Sequence, residues 1–246
     1  MNTIVFEDLQ VNQLAPITTS KPAYAIGCAS YRLIDLLGTV STDIVGVVRP
    51  FLANIQQQDY PELAAALDAG NPWTLIVNAR LAPSIDNLRR LEQLIAETKS
   101  DPLSPRGTAI FSSDQHLIAA TAPTIAFADT ISGSLAAIET AASNANNTVD
   151  KNGDWDLFNY PHDVIVQNLA TFKNNLQHRI QVGRYQESEF GVYLGEDVKI
   201  GPHVVFDTSE GPVVLDSNVL AGPFSYFRGP VYVGPNSKIS ERAAIK

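Results

Sequence analysis

The sequence predicts an α/β domain followed by a parallel β-helix, and three observations carry that prediction. Near the C-terminus an apolar residue recurs at Leu194, Ile200, Phe206, Leu215, Ala221, Phe227, Val233, Ile239 and Ile245, six residues apart except for the nine-residue step from Phe206 to Leu215. Most beats are followed by a small or acidic residue (Gly195, Gly201, Asp207, Asp216, Gly222, Gly234, Ser240), and four positions after most of them stands a second small or β-branched residue, such as Val198, Val219 or Ser225. A hexapeptide period of this kind marks short strands stacked coil upon coil. Upstream, β-branched runs alternate with helical patterns, as in a parallel α/β sheet.

Taken in order, Thr3–Phe6 is a short strand ending at Glu7 and Asp8, and residues 12–30, with Pro16 and Pro22, are loop-like. Tyr31–Leu37 reads as a helix with Gly38 as its stop. Asp43–Val48 is a buried strand, Pro61–Ala69 an alanine-rich helix ending at Gly70, and Trp73–Val77 a second buried strand. A helix starts at Ser84 and presents Ile85, Leu88, Leu91, Leu94 and Ile95. Residues 99–107 hold Pro102 and Pro105 and form a loop. Ala109–Phe111 and Leu117–Ala120 form a hairpin, and residues 143–154, rich in Asn and Asp, are expected exposed and mobile. Pro161–Gln177 is a helix with apolar positions at Val164, Ile165, Leu169, Phe172 and Leu176, which leads into the β-helix. The expected domains are 1–185 and 186–246. The chain stops at Lys246, one residue after a regular beat and without a capping repeat, so the β-helix is expected to be a truncated part of a longer one.

Composition excludes several classes of function. A net charge of −9 disfavours a nucleic-acid or anionic-membrane surface. Cys28 is the only cysteine, so no intrachain disulfide forms, which fits the cytoplasm. The N-terminus lacks a basic n-region, and no apolar run reaches the roughly 18 residues of a membrane span. His116, His162, His178 and His203 show no metal-ligand spacing, and Cys28 has no activating partner nearby in sequence. Trp155 and Asp156 read as structural. Phosphate loops of the Walker type, dinucleotide fingerprints and hydrolase elbows are missing.

Several segments carry a resemblance. Leu14-Ala-Pro-Ile-Thr-Thr-Ser-Lys-Pro22 resembles the second half of the sugar-phosphate nucleotidyltransferase loop, L-x-P-L-T-x-x-x-P. Leu75-Ile-Val-Asn-Ala-Arg-Leu-Ala-Pro83, with Asp86–Leu91, resembles the strand, metal-binding turn and helix of those enzymes. Trp155-Asp156-Leu157 and the run Phe227–Asn236 resemble a divergent branch of the family, similar to the N-terminal half of the bifunctional N-acetylglucosamine-1-phosphate uridylyltransferase/glucosamine-1-phosphate acetyltransferase. The resemblance implies a nucleotidyltransferase-like, Rossmann-like first domain, a left-handed β-helix, a homotrimer, and a sugar phosphate or nucleotide sugar as ligand. It leaves the cofactor open: the family's magnesium would go in the first domain, but its usual carboxylate is replaced by Arg80, and acetyl-CoA would go with a full-length β-helix; no metal ligand is assigned.

The chain departs from that family at the chemistry. The glycine-rich G-x-G-x-R run is replaced by Glu7–Asn12, whose two carboxylates would repel a triphosphate; the loop lysine position is Ala23; and the metal-binding G-D turn reads Ala79-Arg80. The substrate-binding candidates are Lys21, Thr18, Asn78 and Arg80; no catalytic residue is assigned. Two roles are open to Arg80: a bidentate clamp on a phosphate or carboxylate, or a salt bridge to Asp86 or Glu92. Lys21 is a phosphate ligand or a solvated loop lysine. Thr18, Thr19 and Ser20 are phosphate donors or ordinary turn residues. Three functions follow: an active sugar-1-phosphate nucleotidyltransferase of nucleotide-sugar and cell-envelope metabolism; a retired domain that binds a sugar nucleotide or organises a trimer; or an acyl-CoA-dependent amino-sugar N-acyltransferase whose site lies beyond Lys246.

Overall fold

The computed structural model describes residues 1–100, 107–127, 135–149 and 153–246, and the chain divides into two compact units, Met1–Leu169 and Ala170–Lys246. The first contains β1 (Asn2–Phe6), α1 (Leu33–Val40), β2 (Ile44–Val47), α2 (Ala53–Asp59), β3 (Trp73–Asn78), α3 (Ile85–Ser100), β4 (Thr108–Phe111), β5 (Leu117–Pro123), α4 (Leu135–Ser143) and β6 (Asn146–Val149). Helix α5 (Pro161–Val182) runs across the division.

The six strands form one sheet in the order β2-β1-β3-β5-β4-β6. β1 pairs in parallel with β2 and β3, but β5 runs antiparallel to both β3 and β4, so the sheet is mixed rather than purely parallel. The expected hairpin is the cause, because the short turn between Phe111 and Leu117 can join only antiparallel strands. β1 is buried along its whole length, as a central strand covered on both faces must be. Ile4, Phe6 and Ile76 pack with Ala109, Ala120 and Ile138 of α4, while Leu36 of α1 meets Ile85 and Leu88 of α3.

Four local expectations are corrected. Pro61–Ala69 is not helical: Ala64 N–H donates to Ile44 O on the edge strand β2 (2.8 Å) and Asp68 N–H to Asn2 Oδ1 (3.1 Å), and these tertiary bonds override alanine's helix propensity. The helix forms upstream instead, as α2. Gly38 lies inside α1, which ends where Ser41 donates its N–H to Leu37 O and its hydroxyl to Met1 O. Asn146–Val149 is a strand rather than a loop: it pairs in parallel with β4 at the sheet edge, where backbone bonding needs no apolar side chains, and Asn146 and Thr148 are exposed. On α5, Ile165 and Leu169 are exposed while Leu176 is buried. The loop expected at 99–107 falls largely on residues 101–106, outside the described residues, and Lys99 and Ser100 extend α3. Ser84 does start α3, its hydroxyl accepting Asn87 N–H at 3.1 Å.

The second unit continues with β7 (Gln186–Glu189), β8 (Val192–Leu194), β9 (Lys199–Ile200), β10 (Val205–Asp207), β11 (Val213–Leu215), β12 (Leu220–Ala221), β13 (Tyr226–Arg228), β14 (Val231–Val233), β15 (Lys238–Ile239) and β16 (Ala244–Ile245). From β8 onward each strand pairs in parallel with the third strand after it, forming three small sheets, and beat meets beat: Leu194 with Leu215 with Val233, Ile200 with Ala221 with Ile239, Phe206 with Phe227 with Ile245. This is compatible with the expected β-helix. The beats Leu215, Ala221, Phe227 and Val233 are buried, and Phe206 stacks on Phe227 at 5.4 Å. Ile200, at 41% exposure, is the outlier. Six turns pass through left-handed backbone, at Asp197, His203, Asn218, Phe224, Asn236 and Arg242; Asp197, Asn218 and Asn236 are residue types that tolerate it. The end of α5 is tied to Asp216, just after β11, which accepts hydroxyls from Tyr185 (3.0 Å) and Tyr232 (2.6 Å) beside Arg179 (3.6 Å).

Candidate functional site

The chain leaves β1 for β2 on one side and then crosses to β3 on the other, so the C-terminal end of β1 is a topological switch point, where open α/β sheets bind ligands. Two carboxylates stand there, and each is met by an arginine from the end of a flanking strand. Glu7, its side chain fully buried, accepts four hydrogen bonds: from Ala23 N–H (2.9 Å), Arg49 N–H (2.9 Å), Arg49 Nε (3.0 Å) and Arg49 Nη2 (3.3 Å). Arg49 follows β2, and its Nη2 also donates to Thr18 O at 2.7 Å.

Asp8 is gripped from the β3 side. Arg80 donates to it from Nε (2.9 Å) and Nη2 (2.8 Å), and Asn78 from Nδ2 (2.8 Å). Arg80 Nη1 donates to Phe158 O (3.0 Å) and Asn159 Oδ1 (2.7 Å), and the Arg80 side chain has no exposure. Asn78 is buried as well; its Oδ1 accepts Arg80 N–H (3.0 Å), and its Nδ2 also reaches Leu117 O (2.9 Å). Burial pushes the Asp8 carboxyl up, but the hydrogen bonds and charge of Arg80, followed by Asn78, hold it below the ordinary carboxylate range.

The four candidates therefore separate. Asn78 and Arg80 converge on Asp8. Thr18 is buried with its hydroxyl 3.4 Å from Val11 O, and its carbonyl serves Arg49. Lys21 is half-buried and has no ion-pair partner among the described residues. Arg80 pairs with Asp8 rather than with Asp86 or Glu92; Asp86 lies 3.5 Å from Arg89. Sequence reasoning missed Arg49 and Asn159. The signal for Arg49 was present: it ends the β-branched run 43–48 as Arg80 ends the run at β3. Cys28 is buried with Sγ 3.7 Å from Val164 O, a packed thiol. Beside Asp8 a cavity of about 300 Å³ is lined by Phe6, Gln10, Phe111, His116, Ile138 and Glu139, among others.

The sequence profile of the sugar nucleotidyl transferase family matches residues 3–182. The chain belongs to that family. No curated protein matches it. Among solved structures, a glucose-1-phosphate thymidylyltransferase from Bacillus anthracis in complex with sucrose is similar, at 11% identity and a TM-score of 0.43, over 70% of this chain and 95% of that one.

As a sugar nucleotidyl transferase homologue, the chain has an unusual switch point. The backbone that follows β1 is a 3-10 turn, Leu9–Leu14, without glycine. The family's magnesium does not fit these residues. A cation on Asp8 would lie against the buried Arg80 guanidinium, and Glu7 is spent on Arg49 and two backbone amides. Among the described residues no group of three His, Cys, Asp or Glu side chains is arranged to hold a metal, and no helix is long and apolar enough to cross a membrane.

Proposed function

We propose that the first unit binds a sugar phosphate or nucleotide sugar without performing metal-assisted nucleotidyl transfer. The observation that carries this is Arg80, whose guanidinium makes four hydrogen bonds to protein atoms from a side chain with no exposure. Nucleotidyl transfer needs donors aimed at the developing charge on the phosphates. Here the amides best placed for that, Ala23 N–H and Arg49 N–H, already serve Glu7. The cavity beside Asp8 is the place for the ligand's sugar, with aromatic and polar walls.

A second reading, metal-free transfer, is favoured by Lys21, a half-buried cation without an ion-pair partner among the described residues on the family's loop. Titration of UDP- and dTDP-sugars and sugar 1-phosphates by calorimetry, with and without a chelator, tests the first reading. Binding is expected to be the same in both. Binding that needs magnesium would overturn it.

For the second unit we propose a left-handed β-helix that assembles as a trimer, in keeping with the resemblance to the bifunctional uridylyltransferase–acetyltransferase. Exposed Val205 and Phe224 are the kind of apolar surface such an assembly covers. The acyl-transfer reading gains nothing from His203, which stacks on Phe224 at 4.9 Å.

A further inference from the structure

We infer that the end of β1 holds a small-oxyanion site that is filled at rest by the chain's own Glu7. Four donors converge on that carboxylate: two backbone N–H groups, from Ala23 and Arg49, and two from the Arg49 guanidinium. Backbone amides combined with a planar, two-pronged guanidinium are the chemistry that binds a carboxylate or phosphate from solution. The donors come from two different elements, the 3-10 turn Ala23–Ala25 and the segment after β2, and Thr18 O orients the guanidinium from a third direction at 2.7 Å. The nest is therefore built by the fold, and Glu7 is its tethered ligand.

The site has a way in. The Arg49 side chain is 17% exposed, and its guanidinium lies over the ring of Phe51 at 5.0 Å, itself 60% exposed. Lys21 lies between Thr18 and Ala23 in sequence, has no ion-pair partner among the described residues, and adds positive charge to that loop. The Glu7 backbone is pinned by its N–H bond to Val47 O at 2.8 Å, but its side chain alone must turn away to free the donors. An incoming phosphate or carboxylate would exchange with Glu7 oxygen for oxygen. The switch point is in this sense self-inhibited rather than dismantled. This inference goes beyond the proposed function and stands on its own geometry.

The test uses inorganic phosphate as the probe on the full chain. Calorimetry is expected to show Glu7→Ala binding phosphate at least tenfold more tightly than the wild type, with the gain removed in Glu7→Ala/Arg49→Met. Phosphate or formate, but not chloride at equal ionic strength, should raise the Tm of Glu7→Ala. If Glu7→Ala folds poorly, phosphate should restore its refolding yield, and the isosteric Glu7→Gln should still bind phosphate at least threefold better than the wild type. Glu7→Ala and Glu7→Gln responses no larger than the wild-type response overturn the inference. Nucleotide-sugar binding by the wild type is measured separately, so either idea can fail without the other.

Discussion

Replacing Arg80 by alanine separates a structural ion pair from a ligand clamp by magnitude. The substitution removes both bonds to Asp8 and strands Phe158 O and Asn159 Oδ1 as acceptors. Breaking a buried pair by deleting one partner costs about 3–5 kcal/mol. Asp8 keeps its bond from Asn78 and is 16% exposed, which places the cost at the low end, about 3 kcal/mol. Against a domain stability of about 5–15 kcal/mol, that is a large share. With a urea m-value of about 1–3 kcal/mol/M, the midpoint should fall by about 1–3 M. Both tryptophans, Trp73 and Trp155, lie in the first unit, so their fluorescence reports its unfolding alone. A cycle with Asp8→Asn should return a coupling of about 1–3 kcal/mol. A loss of stability below about 1 kcal/mol, together with at least tenfold weaker ligand binding, would refute the argument and restore the clamp.

Other consequences are measurable. Asp8 has a depressed carboxyl in the folded chain, so its stabilisation is present above the unfolded-state pKa of about 4 and is lost as pH falls through the lower folded value. The stability difference between wild type and Asp8→Asn should be flat above about pH 5 and shrink below about pH 4 in urea titrations; a difference that grows on acidification would contradict the pairing. In the second unit, Phe227→Ala should cost about 3–5 kcal/mol by circular dichroism, since the ring is buried and stacked on Phe206. Ile200→Ala, at another beat of the period but 41% exposed, should cost less than about 1 kcal/mol; equal costs would contradict a buried Phe227 and an exposed Ile200.

What the sequence disclosed depended on how local the determining physics was. The hexad beats were legible because a hexapeptide period repeats one local rule, and each beat from Leu194 to Phe227 pairs in parallel with the beat three strands further on, across the nine-residue step as well. Strands β1, β2 and β3 were legible as β-branched runs. Pro61–Ala69 was misread because its conformation is set by distant acceptors on β2 and Asn2, which composition does not encode. The site was half legible. The loss of glycines and the arrival of Arg80 could be read from the chain, but not the two crossed ion pairs, since Glu7 meets Arg49 and Asp8 meets Arg80 only after three strands align. The repulsion expected from Glu7 and Asp8 was real chemistry with its countercharges missing from view.

The most direct test of the central claim, that the end of β1 is occupied by the chain's own ion pairs and does not support metal-assisted transfer, is pyrophosphate release. The purified protein would be given UTP or dTTP and a panel of sugar 1-phosphates, with magnesium present or chelated. The account predicts no release above background in either condition from protein that is folded and binds nucleotide sugar. Magnesium-dependent release that the chelator abolishes would contradict it, because a divalent cation would then have to sit where Arg80 holds Asp8.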